Sequence, residues 1–272
     1  MDYRESLKYA KRIVIKVGTS TVTYNNGLIN LQRIENLTKI ISDIVNSGKE
    51  VVLVTSGAVG AGYGKLRLRE KIENIREKQA LSAIGQCELM HIYSKFFGEY
   101  SHIVAQILLT RDVIEDKHIK ENVCNTFELL LKKGIIPIVN ENDSVAIDEL
   151  ENIVKFGDND NMSAIVSTLI DADLLIILSD IDGFYNSDPR KNKKAIMIKE
   201  VHEFTKEMDE YAGDAGSFLG TGGMATKIKA AKMATSNGVN VILASGKDPY
   251  IIRNILKGES VGTLFVSQNR GE

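Results

Sequence analysis

Short apolar runs alternate with longer segments of helical periodicity along the whole chain. Apolar runs of four to eight residues bounded by turn residues are typical of buried strands. Segments with apolar residues at every third or fourth position indicate helices that cover a core. The predicted strands are 12–18, 51–55, 103–109, 135–140, 173–179, 195–198, 239–243 and 262–266. The predicted helices are 31–45, 75–97, 119–133, 157–170, 220–237 and 250–256.

This alternation of strand and helix predicts an α/β fold with a mainly parallel sheet covered on both faces. The segments 145–147 and 153–155 interrupt the alternation and are predicted to form a hairpin that projects over the strand ends. A mild boundary near Ile170 divides the chain into two lobes. With 272 residues, the chain can bury a substantial core.

The composition of the chain argues against several classes of binding partner and cellular location. A net charge of −2 gives no electrostatic reason to expect nucleic acid or an anionic membrane. Cys87 and Cys124 are isolated, which favours reduced thiols over a disulfide framework. The segment 1–11 lacks the apolar core of a signal peptide, and no apolar run reaches 18 residues. We therefore expect a soluble cytoplasmic protein.

Two clusters of carboxylates and amides adjoin the predicted elements. One is 140–144, Asn-Glu-Asn-Asp-Ser, directly after a strand. The other is 156–164, Phe-Gly-Asp-Asn-Asp-Asn-Met-Ser-Ala, at the start of a helix. A single N-cap residue is enough to start a helix, so four consecutive polar residues exceed what capping needs. Because α/β sheets bind ligands at their carboxyl strand ends, the clusters predict a ligand site there.

Lys16 is a charged residue within the aliphatic strand 12–18, on the face that it shares with Val14 and Gly18. A buried ammonium group requires a charged or polar partner. A lysine at the strand edge that extends to water is the other interpretation, and the segment by itself leaves both open. The strand then ends in 18–20, Gly-Thr-Ser, which offers backbone amides.

The segment 220–227 is predicted to open a helix that runs to Asn237, and Lys227 lies near the start of that helix, where the helix dipole disfavours a cation by roughly 0.3–1 kcal/mol. The same segment contains 221–223, Thr-Gly-Gly, whose exposed amides can bind an anion. An exposed lysine on an ordinary helix is the alternative. Lys16 and Lys227 together could surround a transferring phosphoryl group, whose reaction needs mainly positioning and charge neutralisation. Asp160 could hold both lysines.

The segment 56–64, Ser-Gly-Ala-Val-Gly-Ala-Gly-Tyr-Gly, follows a strand and is rich in glycine. Glycines let a main chain approach a ligand closely, and its amides can bind anions. The spacing is not that of a P-loop, because position 59 is not glycine and no Ser or Thr follows Lys65. A ligand-binding loop and a flexible surface loop both remain open.

Residue spacing also argues against three other kinds of site. Ser56 lacks the glycine two positions before it that a nucleophile elbow requires. No RNA-recognition signature or basic stripe is present. Metal-ligand spacing is lacking among the four histidines, which are His91, His102, His118 and His202.

Five segments of the chain carry a resemblance to a known family. Three of them are 15–20, Ile-Lys-Val-Gly-Thr-Ser, 55–58, Thr-Ser-Gly-Ala, and 140–143, Asn-Glu-Asn-Asp. The two more specific ones are 156–160, Phe-Gly-Asp-Asn-Asp, and 221–227, Thr-Gly-Gly-Met-Ala-Thr-Lys. Together they resemble the glutamate 5-kinases, within the amino-acid kinase superfamily. The resemblance covers nearly the whole chain and implies an αβα sandwich.

The resemblance implies transfer of the ATP γ-phosphoryl group to the side-chain carboxylate of L-glutamate, the first step of proline synthesis. Lys16 and Lys227 would stabilise the transition state, with Asp160 orienting them. Glutamate would be bound by Ser56, Gly57, Ala58, Asp143, Asp158 and Asn159. ATP would be bound by Lys16, Gly18, Ser179, Asp180, Thr221, Gly222, Gly223, Met224, Ala225, Thr226 and Lys227. The family usually has Thr-Asp at positions 179–180, so the Ser-Asp of this chain retains a hydroxyl.

The resemblance also implies the organisation and partners of the protein. We expect a single amino-acid kinase domain over 1–272, with an acceptor-binding lobe at about 1–170 and a nucleotide-binding lobe at about 171–272. Mg²⁺ is expected with ATP, its ligands being left open. L-proline is the expected feedback inhibitor, a homo-oligomer is expected, and the product would pass to glutamyl phosphate reductase. Many members carry a carboxy-terminal PUA domain, which this chain is expected to lack.

Three alternatives stay open at this point. Another amino-acid kinase would act on N-acetylglutamate, aspartate, carbamate or a nucleoside monophosphate. A catalytically inactive sensor would bind glutamate or proline and regulate a partner, although it would not need the cations Lys16 and Lys227. The chain could also be the kinase part of a bifunctional system that works beside a separate reductase.

Overall fold

The described residues build a central sheet with helices on both of its faces. The computed structural model describes residues 3–24, 26–68, 72, 74–110, 112–145, 159–213 and 223–268. The strands are β1 (Arg12–Val17), β2 (Glu50–Val54), β3 (Val104–Leu109), β4 (Ile136–Glu141), β5 (Leu174–Ser179), β6 (Phe184–Tyr185), β7 (Met197–Ile198), β8 (Glu200–Val201), β9 (Asn240–Ser245) and β10 (Thr263–Phe265). The helices are α1 (Tyr3–Ser6), α2 (Thr19–Val22), α3 (Leu31–Asn46), α4 (Ala58–Lys65), α5 (Ile75–Gly98), α6 (Asp112–Glu115), α7 (Lys117–Lys132), α8 (Asn159–Leu169), α9 (Lys206–Gly213), α10 (Met224–Ser236) and α11 (Ile251–Leu256).

The main sheet has the strand order β3-β4-β2-β1-β5-β9-β10-β8. The strands from β3 to β9 in this order are parallel, whereas β10 pairs with β9 in antiparallel orientation. The predicted αβα sandwich with a mainly parallel sheet is therefore confirmed. Strand order reverses at β1, which has β2 on one side and β5 on the other. Such a reversal opens a crevice at the carboxyl strand ends.

Alternation along β1 distributes its side chains between two hydrophobic clusters. Ile13 and Ile15 pack in the cluster that includes side chains of α3, α5 and α11. Val14 packs on the opposite face, in the cluster that includes side chains of α7, α8 and α10. Because side chains alternate along a strand, Lys16 lies on the face of Val14, under α8 and α10. The position of one lysine is thus set by the two-residue period of its strand.

The glycine-rich segment 56–64 is mostly helical, whereas the sequence predicted either a ligand-binding loop or a flexible surface loop. Residues Ala58–Lys65 form α4, and Gly57 precedes this helix with φ 97°, a conformation that favours glycine. A Cβ atom on Gly62 would overlap the backbone of Leu81 in α5, and one on Gly85 would overlap the carbonyl oxygen of Ala58. These glycines let α4 and α5 cross with their backbones in contact. That tertiary contact stabilises a helix that its own composition disfavours.

Other elements match the sequence-based expectations to differing extents. The strand predicted at 195–198 is shortened to β7, which pairs with β6 in a separate two-stranded sheet. The sequence did not predict the short elements α1, α2, α6, α9, β6 and β8. The predicted hairpin lies outside the described residues except for Val145, and so do residues 156–158 and 220–222. Within the described ranges, no helix is both long and apolar enough to cross a membrane.

Replacing Gly85 with alanine tests the contact between α4 and α5. We expect Gly85→Ala to lower the free energy of unfolding by about 1–3 kcal/mol, because the added methyl group overlaps backbone atoms of α4. Gly98→Ala is the matched control, since it lies in the same helix with no atom within 4 Å of the added Cβ. Urea denaturation of both variants measures the difference. Equal stabilities would show that the helices separate at no cost.

Candidate active site

Polar residues from four parallel strands meet at the carboxyl edge of the sheet, near the reversal at β1. Lys16 lies near the end of β1, Ser56 follows β2, Asn140 lies near the end of β4 and Ser179 ends β5. All four are buried. Because buried polar side chains need hydrogen-bond partners, their hydrogen bonds and ion pairs show which of these residues form a common group.

The first group is the lysine–aspartate cluster, formed by Lys16, Asp160 and Lys227. Asp160 lies in the first turn of α8, and Lys227 lies in the first turn of α10. Nζ of Lys16 is 2.5 Å from Oδ1 of Asp160, and Nζ of Lys227 is 2.9 Å from Oδ2. Asp160 is 0% exposed and each lysine is 6% exposed. One buried carboxylate therefore binds two ammonium groups, so Lys16 has the internal partner and does not extend to water.

The lysine–aspartate cluster carries two positive charges and one negative charge. Burial by itself would raise the pKa of Asp160, but the charges and hydrogen bonds of Lys16 and Lys227 hold that pKa below its ordinary value. Oγ1 of Thr226 lies 3.3 Å from Oδ2 of Asp160, so its hydroxyl is an alternative donor to this carboxylate. Asp160 is therefore ionised at neutral pH, and the excess positive charge favours an anionic ligand.

The beginning of α10 adds a second feature that favours an anion. Gly223 is its N-cap residue in an extended conformation, and no side chain of the described residues caps the helix there. The hydroxyl of Thr226 donates instead to the carbonyl oxygen of Gly223, at 2.8 Å. Because Gly223 has no side chain to cap the helix, the first amides of α10 are of the kind that bind an anion at a helix N-terminus. Thr221 and Gly222 lie outside the described residues, so this part of the predicted cradle begins at Gly223.

An open pocket lies next to Gly223, Met224 and Lys227. It encloses about 550 Å³ of space, including the open solvent at its mouth. Ser179 donates to Oδ1 of Asp180 at 2.9 Å, and Asp180 lines the pocket. A lining that combines a cation with aromatic and apolar side chains suits a nucleotide. The other lining residues are Ile181, Gly183, Phe184, Tyr185, Ser187, Asp188, Pro189, Arg190 and Tyr211.

The second group is the amide cluster, formed by Ser56, Gln86, Asn140 and Asn159. Nδ2 of Asn159 donates to Oγ of Ser56 at 2.9 Å and to Oδ1 of Asn140 at 3.2 Å. Nδ2 of Asn140 donates to Oε1 of Gln86 at 2.8 Å. Nε2 of Gln86 and Oδ1 of Asn159 are buried without a hydrogen-bond partner among the described residues. A buried donor and a buried acceptor left open are expected where a polar ligand completes a site.

Asp143 lies just beyond β4, next to the amino-terminal half of α5. Oγ of Ser82 donates to Oδ2 of Asp143 at 2.5 Å. Burial raises the pKa of Asp143, and the hydrogen bond from Ser82 opposes that rise. Neither Ser82 nor Gln86 was predicted from the sequence. Their signal was a polar pair four residues apart on an otherwise apolar helix face.

The remaining predicted residues fall into two groups. Gly18 precedes α2 and Gly57 precedes α4, while Ala58 and Met224 are buried and Ala225 is exposed. Asp158, Thr221 and Gly222 lie outside the described residues. In the described part of the chain, no group of three or more His, Cys, Asp or Glu side chains is arranged to hold a metal ion.

Comparison with known proteins identifies the family. The profile of the amino acid kinase family matches residues 11–245. Profile and αβα sandwich together define the amino acid kinase class. Glutamate 5-kinase from Clostridium perfringens is 67% identical and covers 99% of this chain and 100% of its own. Glutamate 5-kinases from Listeria innocua and Enterococcus faecalis are 57% and 54% identical, over 97% of this chain and 96% and 97% of their own. The chain belongs to the glutamate 5-kinase family.

Solved structures with far less sequence identity share the fold. UMP kinase from Bacillus anthracis matches with a TM-score of 0.62 at 18% identity, over 95% of this chain and 97% of its own. An isopentenyl phosphate kinase from T. acidophilum also matches with a TM-score of 0.62, at 16% identity, over 93% of this chain and 99% of its own. At these identities the likeness concerns the fold alone.

Asp160→Asn tests the balance of charge in the buried cluster. At pH 7 we expect the variant to lose about 3–5 kcal/mol of unfolding free energy, because two buried ammonium groups lose their counter-charge. The folded-state pKa of Asp160 is lowered, so its stabilising contribution is present above the ordinary value of 3.8 and is lost as pH falls through the folded pKa. Urea denaturation should therefore show a gap between wild type and variant at pH 7 that narrows below about pH 3.8. A gap that does not change with pH would contradict this account.

Proposed function

We propose that this protein transfers the γ-phosphoryl group of ATP to the side-chain carboxylate of L-glutamate. The product is L-glutamyl 5-phosphate, and the reaction is the first step of proline biosynthesis. The observation that carries the proposal is the lysine–aspartate cluster at the strand ends of a chain in the glutamate 5-kinase family. A sensor without catalytic activity would not need two buried cations bound to one carboxylate.

The paired lysines match the charge that develops in this reaction. A carboxylate oxygen of glutamate attacks the γ-phosphorus while the bond to the bridging oxygen breaks and ADP leaves. Negative charge is then spread over the equatorial oxygens, and fixed cations stabilise it. Lys16 and Lys227 supply these cations from β1 and α10. Asp160 positions both ammonium groups without contacting the substrate.

The nucleotide is proposed to occupy the pocket beside α10. Its phosphates would meet the first turn of α10, at Gly223–Lys227, and its base and ribose would lie among the aromatic residues of the pocket. Gly18, Ser179 and Asp180, together with Thr221 and Gly222, complete the proposed ATP site. Mg²⁺ is usually held by substrate phosphates and one or two carboxylates, and Asp180 is a carboxylate at the pocket. When bound, Mg²⁺ would neutralise phosphate charge.

Glutamate is proposed to bind at the amide cluster and at Asp143. Asp143 offers an anion to the α-ammonium group of glutamate, whereas N-acetylglutamate has a neutral amide at that atom. Ser56 and Asn159 would complete the frame with a hydroxyl and an amide, and the backbone at Gly57 and Ala58 would approach the substrate. Asp158 is included on the family resemblance. The acceptor would thus lie in the amino-terminal lobe and the nucleotide in the carboxy-terminal lobe.

Family membership supports three further proposals about partners. L-proline is proposed to inhibit, because it shares the α-carboxylate and ammonium of glutamate and lacks the acceptor carboxylate. The chain is proposed to form a homo-oligomer. Its product, a reactive acyl phosphate, is proposed to pass to glutamyl phosphate reductase.

Removing either cation should mainly reduce the chemical step. We expect Lys16→Ala and Lys227→Ala each to lower kcat by roughly 10²–10³-fold, because each removes a preorganised donor to transition-state charge. The KM for ATP should change less, since the benefit belongs to the transition state. Steady-state ADP release measures both constants. Lys229→Ala is the matched control, an exposed lysine on the same helix, and unchanged kcat in Lys227→Ala would refute the assigned role.

The choice of acceptor tests the function directly. In a coupled ADP-release assay over a panel of amino acids, we expect L-glutamate to be the preferred acceptor and N-acetylglutamate a poor one. A site with an unpaired buried polar group rejects the wrong ligand strongly. Asp143→Asn should raise the KM for glutamate by about tenfold, about 1.4 kcal/mol, and leave the KM for ATP nearly unchanged.

Two results would contradict this assignment. Equal activity with glutamate and N-acetylglutamate would remove the proposed role of Asp143, and no activity with glutamate would refute the function. The same assay with added L-proline should show a raised apparent KM for glutamate. Unchanged kinetics at proline concentrations well above millimolar would reject the proposed inhibition.

A further inference from the structure

Ser82 is a buried residue of α5 whose hydroxyl reaches the carboxylate of Asp143. The side chain is 3% exposed, and Oγ lies 2.5 Å from Oδ2 of Asp143. That distance is typical of a hydroxyl that donates to an ionised carboxylate. Among the described residues, the structure shows a hydrogen bond from Ser82 to the carboxylate of Asp143. This hydrogen bond involves one of the two carboxylate oxygens, Oδ2.

Helix α5 places Ser82 with little freedom. The backbones of α4 and α5 are in contact through Gly62 and Gly85, so a larger residue at either position would push the two helices apart. Gln86 lies one turn after Ser82 and accepts a hydrogen bond from Asn140. Two adjacent turns of α5 therefore each contact one polar side chain near the end of β4.

The hydrogen bond from Ser82 favours the ionised form of Asp143. Asp143 is partly buried, and burial raises the pKa of its carboxyl group. A hydroxyl that donates to the charged form opposes this rise, and it also limits the rotation of the carboxylate. A binding partner for an ammonium group needs both a negative charge and a defined direction.

We propose that Ser82 is a positioning residue for the acceptor amino acid, which it serves by keeping Asp143 charged and oriented toward the α-ammonium group. This inference rests on the proposed function, because it assumes that Asp143 receives an amino acid. It adds a specificity determinant on α5, an element outside the segments that carry the family resemblance. Ser82 acts through Asp143 and does not itself contact the substrate.

A purely structural role would have a different signature. If Ser82 only tied α5 to the turn after β4, its removal would lower stability without separating the two substrates. If Ser82 orients Asp143, its removal should affect glutamate and spare ATP. It should also reduce the preference for a charged α-ammonium group over an acetylated one.

Three variants test the inference. Ser82→Ala removes the hydroxyl, and Ser82→Thr is compared with Ser82→Val. Threonine and valine have nearly the same shape, so their difference isolates the hydroxyl even if the larger side chains disturb packing. We expect Ser82→Ala to raise the KM for glutamate about tenfold, in line with the loss of a hydrogen bond to a charged group. Its kcat should change less than about threefold, and its KM for ATP should not change. Ser82→Thr should have a KM for glutamate about tenfold below that of Ser82→Val.

Substrate selectivity and a double-mutant cycle provide two measurements that a loss of stability alone would not change. The ratio of kcat/KM for glutamate to that for N-acetylglutamate should fall about tenfold in Ser82→Ala. In the Asp143→Asn background, Ser82→Ala should add little, because the two residues act as a unit. Ser42→Ala is the matched control, since Ser42 is a helical serine 1% exposed whose Oγ has no hydrogen-bond partner among the described residues.

The outcomes separate this inference from the function on which it rests. Wild type that does not phosphorylate glutamate would refute both. Wild type that phosphorylates glutamate, with an unchanged KM for glutamate in Ser82→Ala, would overturn the role of Ser82 and leave the function intact. Equal KM values in Ser82→Thr and Ser82→Val would overturn it as well.

Discussion

The attraction between one buried carboxylate and two buried ammonium groups is the constraint on which the candidate site depends. Removing three charges from water is costly, and that cost is offset only when the charges are in direct contact. Asp160 meets this condition because α8 and α10 pack on the face of the sheet to which Lys16 points. Asp160 on α8 therefore contacts both Lys16 on β1 and Lys227 on α10. The cluster keeps one positive charge in excess. An anionic ligand bound at the strand ends would neutralise this excess positive charge.

The amide cluster has a different physical basis, since it contains neutral groups joined by directional hydrogen bonds. Asn159 links Ser56 to Asn140, and Asn140 is linked in turn to Gln86. Asn159 directly precedes Asp160 at the start of α8, so one helix terminus belongs to both groups. A shift of α8 would therefore move the two halves of the site together. This connection would keep the proposed acceptor site and the lysine–aspartate cluster in a fixed position relative to each other.

The shared fold explains the position of the site, and the side chains at the strand ends explain its chemistry. Structures of kinases with other named substrates match this fold at 14–18% identity. A parallel sheet with a reversal at one strand provides a crevice whatever the substrate. The groups proposed to contact the acceptor come from the end of β4, the segments that follow β2 and β4, the start of α8 and one face of α5. Specificity in this scaffold can thus change without a change in the sheet.

The sequence by itself determined the local features: the alternating strands, the helix periods, the polar clusters at 140–144 and 156–164, and the face of Lys16. These follow from periods of two and about 3.6 residues, which neighbouring residues decide. Only the tertiary structure decided that the glycine-rich segment is the helix α4, because its stabilising contact lies on α5. Likewise, only the fold brought Ser82 to Asp143 and both lysines to Asp160. Hydrogen bonds and ion pairs between residues distant in the chain depend on the packing of whole elements, which no local pattern encodes.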